Sequence, residues 1–214
     1  MSDSQIHTVL LDADGVAQAP TKPLVPELEA LCHSPGDGEQ FVADIFSAET
    51  PCLTGEAEFP VVLEEVLARW GISVPLSEVL LLWHLIRPVP QVFDLISKLR
   101  QRRIRVCLAT NQQRVRAEFM ANDLGYSTNF DELFFSCELG ASKPKEEFFT
   151  RVIQRLAIES SEILFIDDQP KNVEAAKRSG MVGELYHFDS GAQALESILE
   201  RHHLLASTGV CVDV

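Results

Sequence analysis

The sequence of 214 residues has no CxxC pair, no long apolar run and no basic leader segment. Its five cysteines are odd in number and scattered, which argues against a disulfide framework and favours reduced thiols. No stretch reaches the roughly 18 uninterrupted apolar residues of a membrane-spanning helix. The N-terminus lacks the basic region of a signal peptide. We therefore expect a cytoplasmic protein with no membrane partner.

Basic side chains are also scarce, with 18 Lys and Arg against 32 Asp and Glu and a net charge of −14. Because nucleic-acid binding depends on neutralising phosphates with Lys and Arg, we expect no nucleic-acid partner. Apolar residues, in contrast, make up 46% of the chain, which is enough for a substantial core. The length fits one large domain, or a core with a smaller insert.

From residue 89 onward, predicted strands and helices alternate. The first strand lies earlier, and the predicted strands are 7–12, 104–110, 133–136, 162–167 and 183–188. Apolar residues at helical spacing predict the helices 89–102, 113–125, 144–157, 170–180 and 192–203. This alternation predicts an α/β fold with a Rossmann-like, doubly wound parallel sheet.

Residues 17–88 differ from the rest because they are rich in proline and carry no strand pattern. Apolar periodicity predicts helices over 59–71 and 76–88. We expect residues 1–16 and 89–214 to form the core, and residues 17–88 to form a small helical insert. Trp83 and His84 lie near the end of the second helix, where we expect them to pack within the insert rather than to select a substrate.

Polar residues follow four of the predicted strands. In chain order they are Asp12 and Asp14, Thr110 and Asn111, Lys143, and Asp167 with Asp168. Ligands of open α/β sheets bind outside the carboxyl ends of the strands. We therefore expect these side chains to meet at one edge of the sheet.

Four neighbouring carboxylates need a cation, since one pair at 4 Å costs about 4 kcal/mol at an effective dielectric constant of 20. Oxygen ligands without a cluster of His or Cys point to Mg²⁺, which often completes its shell with water and substrate phosphate. The Thr110 hydroxyl and the Lys143 ammonium suit phosphate oxygens. The pattern predicts a phosphoryl-transfer site for a small phosphorylated metabolite.

Four segments resemble the motifs of the haloacid dehalogenase (HAD)-like hydrolase superfamily, in the family's order. They are VLLDADGV, VCLATN, GASKPKEEFF and ILFIDDQPKNVEAAKRSG. With the insert, the resemblance covers nearly the whole chain. It implies a phosphatase that forms an aspartyl-phosphate, with residues 17–88 as a helical cap inserted after the first motif.

The resemblance also implies residue roles. Asp12 would be the nucleophile and a metal ligand, and Asp14 would be the general acid and base, with its main-chain carbonyl on the metal. Asp167 would ligate Mg²⁺, and Asp168 would support the ion through water. Thr110, Asn111 and Lys143 are the expected phosphate-binding residues.

The motif wording is most similar to phosphatases of the sugar-phosphate type. Asp14 argues against carbon–halogen cleavage, because the dehalogenating relatives lack this residue. The absence of lysine between Pro23 and Ser97 counts against a phosphonate-cleaving Schiff base. A phosphomutase, a non-catalytic protein that binds phosphorylated ligands, and a scaffold that binds partners through the cap remain alternatives. Both a monomer and a dimer are compatible with the sequence.

Overall fold

The computed structural model describes residues 5–32 and 36–206, so Cys211 lies outside the described residues. Its strands are β1 (Thr8–Leu11), β2 (Gln18–Pro20), β3 (Ile86–Pro88), β4 (Arg105–Thr110), β5 (Glu132–Phe135), β6 (Ile163–Asp167) and β7 (Val182–Leu185). Five of them form one parallel sheet in the order β5-β4-β1-β6-β7. The predicted α/β fold with a Rossmann-like parallel sheet is confirmed.

The helices surround this sheet and fill the segment between β2 and β3. They are α1 (Leu24–Glu29), α2 (Gly38–Glu49), α3 (Phe59–Arg69), α4 (Leu76–Leu80), α5 (Pro90–Gln101), α6 (Arg114–Glu118), α7 (Tyr126–Asn129), α8 (Ser136–Leu139), α9 (Glu146–Leu156), α10 (Pro170–Arg178) and α11 (Ala192–Arg201). Shorter turns are the 3₁₀ segments Thr50–Thr54, Leu81–His84, Ser160–Glu162 and Phe188–Ser190, and the π segment Phe119–Asp123. Within the described ranges, every helix is too short or too polar to span a bilayer.

Alternate residues of β1 point into two separate apolar layers. Val9 and Leu11 pack with residues of α5 and α11, whereas Leu10 packs with residues of α9 and α10 on the other face. All three side chains are buried. A parallel sheet covered on both faces explains why β1 reads as a continuous apolar run instead of an alternating one.

A third apolar cluster joins α1 to α4 and the 3₁₀ segment that follows. Trp83 lies inside it, with its ring 4.6 Å from the ring of Phe59. Its Nε1 donates a hydrogen bond of 2.8 Å to Glu49. Trp83 is therefore a packing residue, as expected. The His84 ring instead stacks on the ring of Phe119 in the π segment, with 4.0 Å between the centroids. His84 therefore packs against a residue outside the insert, and not within the insert as expected.

The predicted helix over residues 76–88 is wrong in its second half. Helix α4 ends at Leu80, and residues 86–88 form β3, which pairs antiparallel with β2. The backbone of Leu85, at φ −74° and ψ 51°, leaves the helical region between the two. Pro20 and Pro88 are tolerated in this ribbon because each strand has a free edge. Non-local strand pairing therefore overrides the local helical periodicity.

Candidate active site

Six of the seven polar residues predicted from the sequence line one cavity of about 660 Å³ at the carboxyl ends of the strands. They are Asp12, Asp14, Thr110, Asn111, Lys143 and Asp168. The seventh, Asp167, is fully buried and contacts Lys143 at the cavity wall. The volume is that of a small-molecule site.

Lys143 is buried between two carboxylates. Its Nζ lies 2.8 Å from Asp12 Oδ1 and 2.7 Å from Asp167 Oδ2. The main-chain N–H of Ala13 also donates to Asp12 Oδ1, at 2.7 Å. These bonds fix Asp12 at the end of β1 and leave its Oδ2 free of any bond from the described residues.

Burial and mutual attraction change the pKa values of both Asp12 and Lys143. Burial raises the pKa of Asp12 to about 7, although the Lys143 ammonium acts in the opposite direction. Burial lowers the pKa of Lys143, but the Asp12 and Asp167 carboxylates outweigh it, so the net pKa of Lys143 is raised. Lys143 is therefore a permanent cation at the base of the cavity.

Asp167 is held by main-chain and side-chain donors. The N–H of Gln169 donates to its Oδ1 at 2.8 Å, and Asn172 Nδ2 donates to the same oxygen at 3.0 Å. The Oδ1 of Asn172 is buried and has no hydrogen-bond partner among the described residues. Asn172 is also one of the residues that line the cavity.

The residues present fit a divalent cation. Asp12, Asp167 and Asp168 offer carboxylate oxygens that lie within 4.8 Å of one another. Burial raises the pKa of Asp168, and the neighbouring Asp167 charge adds to this effect. Three carboxylates and one ammonium leave an excess of negative charge, which a hard cation with oxygen ligands would neutralise.

Gly15 allows Asp168 to approach β1. Its φ is +80°, and a Cβ built on it would lie 2.7 Å from the Cγ and Oδ2 of Asp168. Any other residue would therefore be strained in its backbone and would push the carboxylate away. The glycine in the turn after Asp14 therefore helps to set the position of Asp168.

Asn111 contacts Lys143 through the main chain. Its Nδ2 donates to the Lys143 carbonyl at 2.9 Å, and its Oδ1 accepts from the Lys143 N–H at 2.9 Å. Both polar ends of the amide are thus engaged, and Asn111 fixes the loop that carries Lys143. Thr110, at the end of β4, is buried and lines the cavity, and its hydroxyl oxygen accepts a 3.2 Å hydrogen bond from Gln112 Nε2.

Asp14 lies in a different environment, with 45% of its side chain exposed. Gln18 Nε2 and Arg116 Nη2 each donate to Oδ1 at 2.8 Å, and Gln112 Nε2 donates to Oδ2 at 2.8 Å. None of these three partners was predicted from the sequence. A signal exists for two of them, because residues soon after Thr110 begin a helix at the same edge of the sheet.

Charged or titratable residues that also line the cavity but were not predicted are Lys171, His187 and Asp189. Lys171 is the second residue of α10, directly after the DDQP segment. His187 and Asp189 belong to the turn after β7, where the Asp189 N–H donates to His187 Nδ1 at 3.1 Å. Polar residues after β7 were the available signal.

Curated relatives of this chain include phosphatases. A sesquiterpene phosphatase of Aspergillus oryzae is 32% identical over 113 residues, which are 52% of this chain and 56% of that protein. A phosphorylated carbohydrates phosphatase of Thermotoga maritima is 26% identical over 117 residues, which are 53% of this chain and 54% of that protein. The chain spans about half the length of these relatives.

The fold is similar to that of a HAD family enzyme from Bacteroides thetaiotaomicron, solved in complex with magnesium and inorganic phosphate. The TM-score is 0.72 at 19% identity, over 84% of this chain and 93% of that one. At this identity the likeness concerns the fold alone. The model of one family, however, matches residues 6–180, which include all four motif segments. The chain therefore belongs to the haloacid dehalogenase-like hydrolase family.

Proposed function

We propose that this protein is a Mg²⁺-dependent phosphatase that hydrolyses a small phosphomonoester through an aspartyl-phosphate. The observation that carries the proposal is the ion pair between the buried Asp12 and Lys143. Asp14, two residues after Asp12, provides a second carboxylate at the same cavity. A carboxylate attacks phosphorus most readily where a fixed cation offsets the charge of the transferring group.

In the first step, an Asp12 carboxylate oxygen attacks phosphorus, and the bond from phosphorus to the substrate oxygen breaks. The electron pair of that bond goes to the leaving oxygen, which takes a proton from the Asp14 carboxyl group. In the second step, Asp14 takes a proton from a water molecule whose oxygen attacks the aspartyl-phosphate. The bond between phosphorus and Asp12 breaks, and inorganic phosphate leaves.

The phosphate group would be held by the Thr110 hydroxyl, the Lys143 ammonium and the main-chain N–H of Asn111. Mg²⁺ would be held by Asp12, Asp167 and the Asp14 carbonyl, with Asp168 acting through water. Bound there, the ion supplies neutralisation of the charge on the transferring phosphoryl group. The carboxylate cluster and the unpartnered Asn172 oxygen support this assignment.

We further propose that residues 1–16 and 89–214 form the catalytic core and that residues 17–88 form a cap. The separate apolar cluster of α1 to α4 supports this division. A sugar phosphate or a similar small metabolite would suit the 660 Å³ cavity, and a relative named for phosphorylated carbohydrates supports that class. The buried free thiols of Cys52, Cys107 and Cys137 favour the reducing cytoplasm.

The test is a panel of phosphomonoesters, with 4-nitrophenyl phosphate included, assayed for released phosphate with Mg²⁺ and with EDTA. We expect Mg²⁺-dependent release from at least one member, and none above background for Asp12→Asn. A wild-type protein that binds panel members without releasing phosphate would overturn the proposal in favour of a binding protein. Isomerised phosphate ester without free phosphate would indicate a phosphomutase.

A further inference from the structure

The Asp14 carboxylate accepts hydrogen bonds from three side chains, although it lies at a solvent-exposed cavity. An ionised carboxylate offers about four acceptor positions, two on each oxygen. Gln18 and Arg116 take both positions on Oδ1, and Gln112 takes one on Oδ2. One position on Oδ2 remains, so the two oxygens of this carboxylate are not equivalent.

The two glutamines are themselves anchored in the core. Gln18 is fully buried, and its Oε1 accepts a 3.0 Å hydrogen bond from the Tyr126 hydroxyl. Gln112 is buried, and its N–H donates to Ser136 Oγ at 3.0 Å. Its Nε2 also lies 3.2 Å from Thr110 Oγ1, which links Asp14 to an expected phosphate-binding residue.

Arg116 is the charged member of this set. It lies on α6, and only 17% of its side chain is exposed. Its neighbour on the same helix, Arg114, is 49% exposed and pairs instead with Glu58 at 3.6 Å. Two arginines on one short helix thus have different partners, and only one of them contacts Asp14.

We propose that Arg116, together with Gln18, is a positioning residue that fixes Oδ1 of Asp14 and thereby leaves Oδ2 as the oxygen that exchanges the proton. The inference rests on the proposed phosphatase function and adds to it the orientation of the acid. A misplacement of about 1 Å in a reacting group costs on the order of 10²-fold in rate, so this orientation has a measurable effect. Proton donation matters most when the leaving group is a poor one.

The experiment compares Arg116→Met with the matched control Arg114→Met on two aryl phosphates, phenyl phosphate and 4-nitrophenyl phosphate. Phenolate is the poorer leaving group and needs the proton from Asp14, whereas 4-nitrophenolate leaves without it. We expect Arg116→Met to lower kcat/KM on phenyl phosphate by about 10- to 100-fold more than on 4-nitrophenyl phosphate, because kcat/KM covers the steps up to loss of the aryl oxygen and excludes the breakdown of the aspartyl-phosphate, which is common to both substrates. Arg114→Met should leave the ratio of the two kcat/KM values at the wild-type level.

The ratio is measured on one preparation, so the fraction of folded enzyme cancels and poor folding of a variant does not obscure the result. Arg116→Lys, which keeps the charge but loses the planar fork, should restore part of the ratio. An equal loss of kcat/KM on both substrates would overturn the proposal. If the wild-type protein hydrolyses neither substrate and no panel member, the proposed phosphatase function fails instead.

Discussion

Asp12 and Asp14 are two residues apart, but their surroundings share little. The Asp12 side chain is 9% exposed and forms an ion pair with Lys143, which also pairs with Asp167. The Asp14 side chain is 45% exposed and its donors are two glutamines and Arg116. Strand β1 ends at Leu11, and the Asp12 N–H still donates to the Ile166 carbonyl of β6 at 2.9 Å. The first acid is thus fixed by the sheet, and the second by a turn and by a neighbouring helix.

The difference matches two chemical tasks. A group that bonds to phosphorus benefits from a dry site with a fixed cation, where the interactions that stabilise developing charge are strongest. A group that gives a proton to one oxygen and later takes one from water must stay accessible to solvent. The difference in burial fits the roles proposed for the two acids, so variants of each acid should fail in different ways.

The largest effects are expected from Asp12→Asn and Asp14→Asn, compared on 4-nitrophenyl phosphate. Asp12→Asn should lower turnover by at least about 10⁴-fold and give no burst, because no aspartyl-phosphate forms. Asp14→Asn should lower turnover by about 10²- to 10⁴-fold but keep a burst of 4-nitrophenolate, since only the attack of water is lost. Rapid-quench measurement of the burst distinguishes the two variants.

A burst with Asp12→Asn, or equal losses without a burst in both variants, would remove the division of roles. Thermal unfolding of both variants is the control, because Asp12→Asn removes the buried ion pair with Lys143. The burst amplitude, expressed per folded molecule, is then independent of any loss of stability.

The sequence was sufficient for the parts of the site that strand ends deliver. Thr110 and Asp167 are the last residues of β4 and β6, and their placement follows from the sheet. Lys143 is further from its strand, yet it reaches Asp12 because the Asn111 side chain holds its main chain on both sides. These two hydrogen bonds join residues that are distant in sequence, so periodicity alone does not reveal them.

The surroundings of Asp14 were not predictable in the same way. Gln18 lies in β2, whose pairing with β3 is non-local, and the helical periodicity around residues 76–88 pointed to a different structure. Arg116 and Arg114 are both compatible with an exposed helix surface, and only the packing of α6 distinguishes them. Local patterns identify which residue types are available, whereas contacts between distant elements decide which of them is used.

The second prediction concerns the metal on the Asp12 side and uses Gly15→Ala. Mg²⁺ at one hundred times its Kd should stabilise the wild-type protein by about 2.7 kcal/mol, measured by thermal unfolding at constant pH. Gly15→Ala should lose most of this Mg²⁺-dependent gain, because its Cβ displaces the Asp168 carboxylate. The substitution replaces none of the residues proposed to hold Mg²⁺, so it tests the placement of Asp168 and not the number of donors.

Gly71→Ala is the matched control for this substitution. Gly71 also has a positive φ, of +65°, but no atom lies within 4 Å of the Cβ built there. Both variants should lose about 1 kcal/mol of stability from backbone strain. Only Gly15→Ala should also lose the response to Mg²⁺, and an equal response in the two variants would contradict the role given to Asp168.

The smallest effect is expected for the pH dependence of stability and concerns Glu49, whose pKa is influenced by Arg116 and Asp14. Burial raises the pKa of Glu49 to about 7, and the charges of Arg116 and Asp14 also act on it. Between pH 4.5, its ordinary pKa, and pH 7, the folded protein keeps a proton that the unfolded chain has released. The stability due to this group is therefore complete below pH 4.5 and is lost as the pH rises through 7.

Glu49→Gln should remove this pH dependence and keep the hydrogen bond from Trp83 Nε1, since a glutamine oxygen can accept it. We expect the variant to match the wild-type protein at pH 4.5 and to exceed it by about 1–2 kcal/mol at pH 8. Denaturant unfolding at the two pH values measures the difference, and the acidic measurement is the internal control. An equal difference at both pH values would mean that Glu49 affects stability through packing and not through its titration.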